Sequence, residues 1–475
     1  MSELVESFHR TRRDAAHRPL IFLPGHARAM TATDIWSHAD VYIRQLTRVG
    51  VGRGDLVVSA TGNRPDAIAL LLAARSLELA LMAIDAGATR VEVLALATRF
   101  GAGAIVLSPE GPPTISPTGT LDVLTCQGER RTYPGAALLK LTSGSTGAPK
   151  AAFTRESQVM ADGRQVAATM GIGPVDTQLA VIPLSHAYGL GVLVMPLLLH
   201  GTPIVLRESF VPQHMAADVR ETGARRFPGV PFMFEYLLEH PPAGGWPTGL
   251  DRLVSAGAPL SPTASRAFSE RFGVKVHGFY GTTESGGITY DDSDDPDVVD
   301  TVGRPLGGVT ISLRPEDDVP GGRVHVRSPG VSDGYVGSRE DFTYGGFLTG
   351  DYGTIDDHGR LTLAGRVSSF INVAGRKVQP AEVEATLRAL PGVADVRVVG
   401  GHDAKRGQHV VACIVSRATG PITALTVRQF CAERLAPHKI PRAVVFVDAI
   451  PLTARGKTDR DALAALIQSR TRQEP

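Results

Sequence analysis

Three cysteines in 475 residues, Cys126, Cys413 and Cys431, form no Cys-x-x-Cys pair and no metal-ligand spacing. That argues against a zinc ribbon and against a disulfide-stapled scaffold, and it fits reduced thiols in a cytoplasmic protein. Lysine is scarce too: Lys140, Lys150, Lys275, Lys377, Lys405, Lys439 and Lys457 are the only ones. Basic and acidic residues nearly cancel, 49 against 48, so the net charge is +1. No broad field favours nucleic acid or an acidic membrane surface. Long apolar runs are missing. The longest, Leu190 to Leu199, is far shorter than the roughly 20 residues of a membrane span. The N-terminal MSELVESFHRTRRDAAHRPL has no apolar centre of the kind a secretory signal needs. No internal repeat is present.

Apolar residues still make up 43% of the chain, enough for sizeable cores, and the length favours two or three domains. From Asp176 to Gly281 apolar strands alternate with helical patterns. Gln178 to Leu184, Pro203 to Leu206, Arg252 to Ser255 and Val274 to Tyr280 read as strands. His186 to His200, Gln213 to Glu221 and Phe232 to His240 read as helices, and Gly201 and Gly223 stand where C-terminal caps belong. Ser261 and Pro262 form an N-cap and first-turn pair for a further helix that Gly273 ends. Asn63 and Pro65 open a helix expected to run through Ala80. Such alternation predicts an α/β fold, a large N-terminal domain of mainly parallel sheets covered by helices. After Gly322 short strands and tight turns take over, with a hairpin turn at Asp356-Asp357-His358-Gly359. From Pro380 a compact α+β pattern follows. The boundary falls near 365–369, giving domains 1–366 and 367–475, the second about 100 residues, a normal small domain.

Four local patterns carry chemistry. In Leu141-Thr-Ser-Gly-Ser-Thr-Gly-Ala-Pro-Lys150, glycines and small hydroxylated residues let backbone N–H groups reach phosphate oxygens, and Lys150 adds charge. No Gly-Lys-Ser/Thr triplet ends it, so it is not a Walker A loop. Gly278-Phe-Tyr-Gly-Thr-Thr-Glu284 closes a strand, where ligands of open α/β sheets gather. Thr349-Gly-Asp351 precedes Gly365-Arg366, an acid–arginine pair suited to ribose hydroxyls. Pro451-Leu-Thr-Ala-Arg-Gly-Lys457-Thr-Asp-Arg460 presents a lysine on a glycine-hinged loop. Each alone also reads as a turn, a loop or a solvated side chain.

In this order and spacing the four resemble the adenylate-forming superfamily of acyl- and aryl-CoA synthetases, stand-alone adenylation enzymes and luciferases. The likeness runs from about Leu141 to the C-terminus. Lesser matches are Pro183 to Gly189, Gly257-Ala-Pro259 and Leu435-Ala-Pro-His-Lys-Ile-Pro441. The resemblance implies an ATP- and Mg²⁺-dependent enzyme that joins a carboxylic acid to AMP, releases pyrophosphate, and passes the acyl group to a thiol, foremost that of CoA. By the same resemblance Thr142, Ser143, Ser145, Thr146 and Lys150 would hold the β- and γ-phosphates. Gly257, Ala258, Pro259 and Tyr280 would frame adenine. Thr283 would touch the α-phosphate, Glu284 the metal, and Asp351 with Arg366 the ribose. Lys457 would bridge the substrate carboxylate and α-phosphate. His186, Tyr188, Gly189, Val230, Phe232, Gly286 and Gly287 would line the acyl pocket, and the small C-terminal domain would be mobile about Ser368.

Three departures bear on these expectations. Ser368 stands where many relatives carry a charged hinge residue. Ala151 follows Lys150 where glycine is commoner. No acid lies between Ser185 and Gly201, where amino-acid-activating relatives hold the substrate's ammonium. The expected substrate is therefore an acid with an uncharged tail, because an unpartnered ammonium in an apolar pocket is costly. Glu235 is expected to face solvent. The acidic run Asp291 to Asp300 lacks the glycine and terminal glutamate of an EF-hand and reads as a solvated loop. The alternative acceptors are a separate carrier protein or an amine. A kinase would release ADP instead of AMP, and a non-enzymatic sensor has no need of Glu284, Asp351, Arg366 and Lys457 together.

Overall fold

The computed structural model describes residues 2–108, 111–116, 123–126, 128–142, 149–316, 321–367, 371–373, 376–378, 380–403, 407–417, 422–435, 437–452 and 458–471. The chain divides into two compact units. The first holds Met1–Ser312, His325–Thr349 and Ile355–Thr362, and the second Leu313–Val324, Gly350–Thr354 and Leu363–Pro475.

The first unit is built on two large sheets. One has eight strands in the order Ile21–Phe22, Ile204–Leu206, Gln178–Ala180, Arg226–Gly229, Arg252–Ser255, Val276–Thr282, Gly286–Tyr290 and Arg304–Pro305. Its pairings are parallel up to Val276–Thr282 and antiparallel beyond. The other has seven, in the order Gly334–Tyr335, Lys150–Arg155, Ala136–Thr142, Ala80–Ala83, Leu56–Ala60, Ala104–Leu107 and Val123–Thr125. Its middle pairings are parallel and its outer ones antiparallel. A strand of a parallel sheet covered on both faces is apolar throughout. Leu56–Ala60, buried at every position, is such a strand.

Local chemistry sets the helices. Ser261 Oγ accepts the Ala264 N–H at 3.1 Å, Pro262 takes the first turn of Pro262–Phe272, and Gly273 ends it at φ +69°. Ala32–Arg48 begins with a capping box between Thr31 and Asp34.

Three expected elements differ. The helix from Pro65 stops at Ser76 rather than at Ala80, which starts a strand. Leu79 N–H bonds back to Ala74 O at 2.8 Å and Glu78 takes φ +55°. The reversal, at Ser76-Leu77-Glu78-Leu79, carries no glycine or proline to mark it. The strand from Gln178 ends at Ala180 rather than Leu184. Beyond it the Asn63 side chain replaces a neighbouring strand: its Nδ2 donates to Ile182 O at 3.0 Å and Arg207 O at 3.2 Å, and its Oδ1 accepts Leu184 N–H at 2.9 Å. The helix His186–His200 is instead three pieces, Ala187–Gly189, a π-helical Leu190–Val194 and Met195–His200. Pro196 offers no N–H to the ladder, and Gln178 Nε2 donates to Val192 O at 2.7 Å. The acidic run is also only partly solvated. Asp291 is buried against Lys275 at 2.8 Å, whereas Asp294 is exposed.

In the second unit, strands Arg376–Val378, Ile371–Val373, Gly407–Ser416 and Val393–Asp403 form an antiparallel sheet, and Ala443–Phe446 joins Gly407–Ser416 in parallel. Helices Pro380–Arg388 and Ala424–Ala432 supply Val383, Leu387, Val427 and Cys431 to one core with Val396, Val398, Ala412 and Ile414. Leu463, on the helix Arg460–Thr471, packs with Val411, Cys413 and Val445. Burial pushes the Cys413 and Cys431 thiols up to about 12 and about 11, which makes them packing residues rather than nucleophiles.

Candidate active site

The glycine-rich segment is flanked by two strands. Strands Ala136–Thr142 and Lys150–Arg155 pair antiparallel, with Thr142 opposite Lys150. Ser143, Ser145 and Thr146 lie outside the described residues. Gly334–Tyr335 pairs on the far side of Lys150–Arg155, with Tyr335 opposite Ala152. Tyr335 therefore stands beside Lys150, whose Nζ lies 5.1 Å from the ring centroid and 2.6 Å from Glu340 Oε2.

Tyr335 also reaches the second motif. Its hydroxyl donates to Glu284 Oε1 at 2.8 Å. Glu284 is buried, and its turn is braced by Ser285 N–H donating to Thr282 Oγ1 at 3.2 Å. Burial, and then the Glu284 carboxylate, push the Tyr335 hydroxyl well above the usual phenol value, so it remains a donor. Two motifs more than a hundred positions apart in the chain are thus joined by one tyrosine that the sequence reading missed.

Thr283 lines a cavity of about 190 Å³ with Lys140, Ser185, His186 and Ser59. Burial holds the Lys140 ammonium below the ordinary lysine value, opposed by the charges of Asp162 and Glu284. Asp162, on the helix Glu156–Met170, is buried and accepts Gly287 N–H at 2.8 Å. Burial raises its carboxyl, opposed by Lys140 and that N–H. Sequence reasoning assigned nothing to Lys140 or Asp162.

The remaining expected residues fall as follows. Gly257, Ala258 and Pro259 are exposed just past the C-terminal end of Arg252–Ser255, with Gly257 at φ +84°. Tyr280 is buried, next to an irregularity in pairing at Tyr280/Gly281. Of the acyl-pocket candidates, His186 lines the cavity, with Nε2 3.8 Å from Asp85. Tyr188 donates to Val254 O at 3.0 Å and packs on Phe279, and burial raises its hydroxyl. Val230 lies under Gly257, and Phe232 is 49% exposed. The glycines serve close packing: a Cβ would collide with the Pro183 carbonyl at Gly189, with the Asp162 carboxylate at Gly286, and with Leu306 at Gly287. Glu235 is exposed.

In the second unit, Arg366 Nε stands 2.6 Å from Asp351 Oδ1, with the carboxylate buried and the guanidinium largely exposed. Lys457 and Ser368 lie outside the described residues. Among the described residues no group of three or more His, Cys, Asp and Glu could hold a metal ion. No helix among them is long and apolar enough to cross a membrane.

The parallel sheets and the joined phosphate-loop and strand-end motifs define an adenylate-forming enzyme. The chain belongs to the AMP-binding enzyme family, whose model matches residues 8–336, and the model of the family's C-terminal domain matches residues 382–457. It is similar to sulfoacetate–CoA ligase of Cupriavidus necator, 32% identical over 335 residues, which cover 68% of this chain and 66% of that protein. It thus aligns over about two thirds of the length of the first curated relatives. ATP-bound MatB from Rhodopseudomonas palustris shares its fold, with a TM-score of 0.82 at 24% identity over 98% of both chains. The amide bond synthetase McbA from Marinactinospora thermotolerans has a TM-score of 0.78 at 26% identity, over 97% of this chain and 99% of that one.

Proposed function

We propose that this protein is an AMP-forming acid–thiol ligase that activates a carboxylic acid with ATP and transfers the acyl group to CoA. The observation that carries this is the junction of Lys150, Tyr335 and Glu284 next to the Thr283-lined cavity. A substrate carboxylate oxygen attacks the α-phosphorus, the bond to the β-phosphate oxygen breaks, and pyrophosphate leaves. The CoA sulfur then attacks the acyl carbon, and the bond to AMP breaks. In the first step two anions meet. Like charges about 4 Å apart repel by roughly 4 kcal/mol at an effective dielectric near 20, so cationic groups must stand between them.

Lys150 together with Thr142, Ser143, Ser145 and Thr146 holds the β- and γ-phosphates. Thr283 contacts the α-phosphate, and Gly257, Ala258, Pro259 and Tyr280 frame the adenine. Asp351 and Arg366 take the ribose, and Lys457 bridges carboxylate and α-phosphate. Mg²⁺ is bound in such sites by one or two carboxylates together with phosphate oxygens and water. A single buried Glu284 beside a phosphate loop fits that need, and the ion would supply charge neutralisation at the transferring phosphate. The C-terminal domain, residues 367–475, acts as a lid that moves about Ser368. The reaction is assigned to the cytoplasm, where both ATP and CoA are available.

The test is a pyrophosphate-release screen over a panel of acids with ATP and Mg²⁺, run with and without CoA. Acid-dependent AMP and pyrophosphate, with acyl-CoA formed only when CoA is present, is the expected result. ADP as the nucleotide product refutes the reading. A second reading, an amine acceptor, is favoured by the likeness to McbA at 26% identity. Amide formation without acyl-CoA would establish it.

A further inference from the structure

The cavity beside Thr283 holds a cation that the adenylation scheme leaves without a task. Lys140 enters it from the strand Ala136–Thr142. Leu138 pairs with Leu81 in parallel, so Lys140 comes beside Ala83 two residues further along both strands. Ala83 in turn pairs with Ser59 on Leu56–Ala60. Side chains alternate between faces with period two, so Lys140, Ala83 and Ser59 stand in one row on one face. All three line the cavity. With strands about 4.8 Å apart, the backbones that carry Lys140 and Ser59 lie roughly 10 Å apart with Ala83 between them, a separation the long lysine side chain can span in part. The row lies toward the C-terminal ends of parallel strands, where ligands of α/β sheets bind.

Among the described residues Lys140 forms no hydrogen bond and no ion pair, and the Ser59 and Thr61 hydroxyls donate to no protein acceptor. The charges that act on Lys140 are the carboxylates of Asp162 and Glu284. Each is engaged elsewhere, Asp162 by Gly287 N–H and Glu284 by the Tyr335 hydroxyl. Lys140 is half-buried, and a partly desolvated ammonium without a protein acceptor gains from a ligand anion in the cavity.

We propose that Lys140 anchors a second anionic group, a carboxylate or a sulfonate, carried on the tail of the acid that is activated, with Ser59 and Thr61 donating to the same group. This assignment rests on the adenylation reading. It replaces the uncharged tail expected from the stretch between Ser185 and Gly201. The desolvation argument behind that expectation has the opposite sign once Lys140 is in the wall, because a neutral tail would leave the ammonium without an acceptor.

The test uses the full chain with ATP and Mg²⁺ and follows pyrophosphate release. The acids are short dicarboxylic acids, their monomethyl esters, and sulfonates of the same chain length. The wild type should favour dianions over the matched esters by at least about tenfold. In Lys140→Met the ratio of kcat/KM, dianion over ester, should fall about 10- to 100-fold, the factor a hydrogen bond to a charged group supplies. Lys140→Arg should retain most of the preference. If diacids alone are favoured the tail group is a carboxylate, and if sulfonates alone are favoured it is a sulfonate. An equal loss for dianion and ester in Lys140→Met overturns the assignment, because it places the lysine at the reacting carboxylate. Equal use of both acids by the wild type overturns it too, and that comparison stands even if the Met variant fails to fold. Pyrophosphate release without dianion preference refutes the tail anchor alone, whereas no release with any acid refutes the adenylation reading and the anchor together.

Discussion

Replacing Tyr335 by phenylalanine isolates the link between the phosphate loop and the strand-end acid. The substitution removes one oxygen and keeps the ring beneath Lys150 Nζ, 5.1 Å from its centroid. What disappears is the 2.8 Å hydrogen bond to Glu284 Oε1. A hydrogen bond to a charged group contributes about 1.5–3 kcal/mol. At about 1.4 kcal/mol per factor of ten, that predicts a fall of roughly 10- to 150-fold in kcat/KM for MgATP. An independent estimate agrees, since losing the partner that orients a metal ligand costs about 10–100-fold in metal affinity or activity. Because burial and Glu284 hold the phenol proton on, Tyr335 adds no ionisation of its own to the pH profile. The assay is ATP–pyrophosphate exchange across a Mg²⁺ titration. The variant should need more Mg²⁺ for half-maximal rate. An unchanged kcat/KM with an unchanged Mg²⁺ requirement refutes the view that Tyr335 positions Glu284.

Lys457→Ala should lower adenylate formation at least about 10²–10³-fold while ATP binding persists, by analogy with the loss of an oxyanion donor. Near-normal pyrophosphate exchange in that variant contradicts the role. Asp351→Ala should weaken ATP and AMP together, since both carry the ribose, and calorimetry with each nucleotide checks it. Asn63→Ala should destabilise the fold by at least about 1–3 kcal/mol, because it strips partners from Ile182 O and Leu184 N–H. A urea midpoint equal to that of the wild type contradicts this.

Elements with a local signature were legible. Ser261-Pro262 and Gly273 bracket a helix by their own capping chemistry, and Arg252–Ser255 is extended as read. Boundaries set from a distance were not. Nothing near Ile182 announces that Asn63 will take the hydrogen bonds of a neighbouring strand. The turn after Ser76 carries no breaker residue. The site divides in the same way. Lys150, Thr283 and Glu284 stand in contiguous patterns that chemistry recognises. Tyr335 gains its meaning only when Gly334–Tyr335 pairs with Lys150–Arg155. Asp162 reads along the chain like any polar helix residue, and Gly286 and Gly287 read from the resemblance as acyl-pocket wall. Only the fold brings the carboxylate against those two glycines.

The contacts of Lys150 and of Glu284 differ in how readily a ligand can replace them. Lys150 holds Glu340 at 2.6 Å, but the Glu340 side chain is 64% exposed. An exposed pair of this kind is worth about 0–1 kcal/mol, so a triphosphate can take the ammonium at little cost. Glu284 is buried and its hydroxyl donor is half-buried, so removing that partner leaves an unpaired carboxylate out of water. The cation is therefore held loosely by a solvated acid, and the acid is held firmly by a neutral donor. That asymmetry suits MgATP. On the proposed reading, incoming phosphates would displace Glu340 from Lys150, whereas Glu284, oriented by Tyr335, would be one of the groups holding Mg²⁺. The hydroxyl that fixes Glu284 carries no charge, so it orients the carboxylate without neutralising the charge the metal requires.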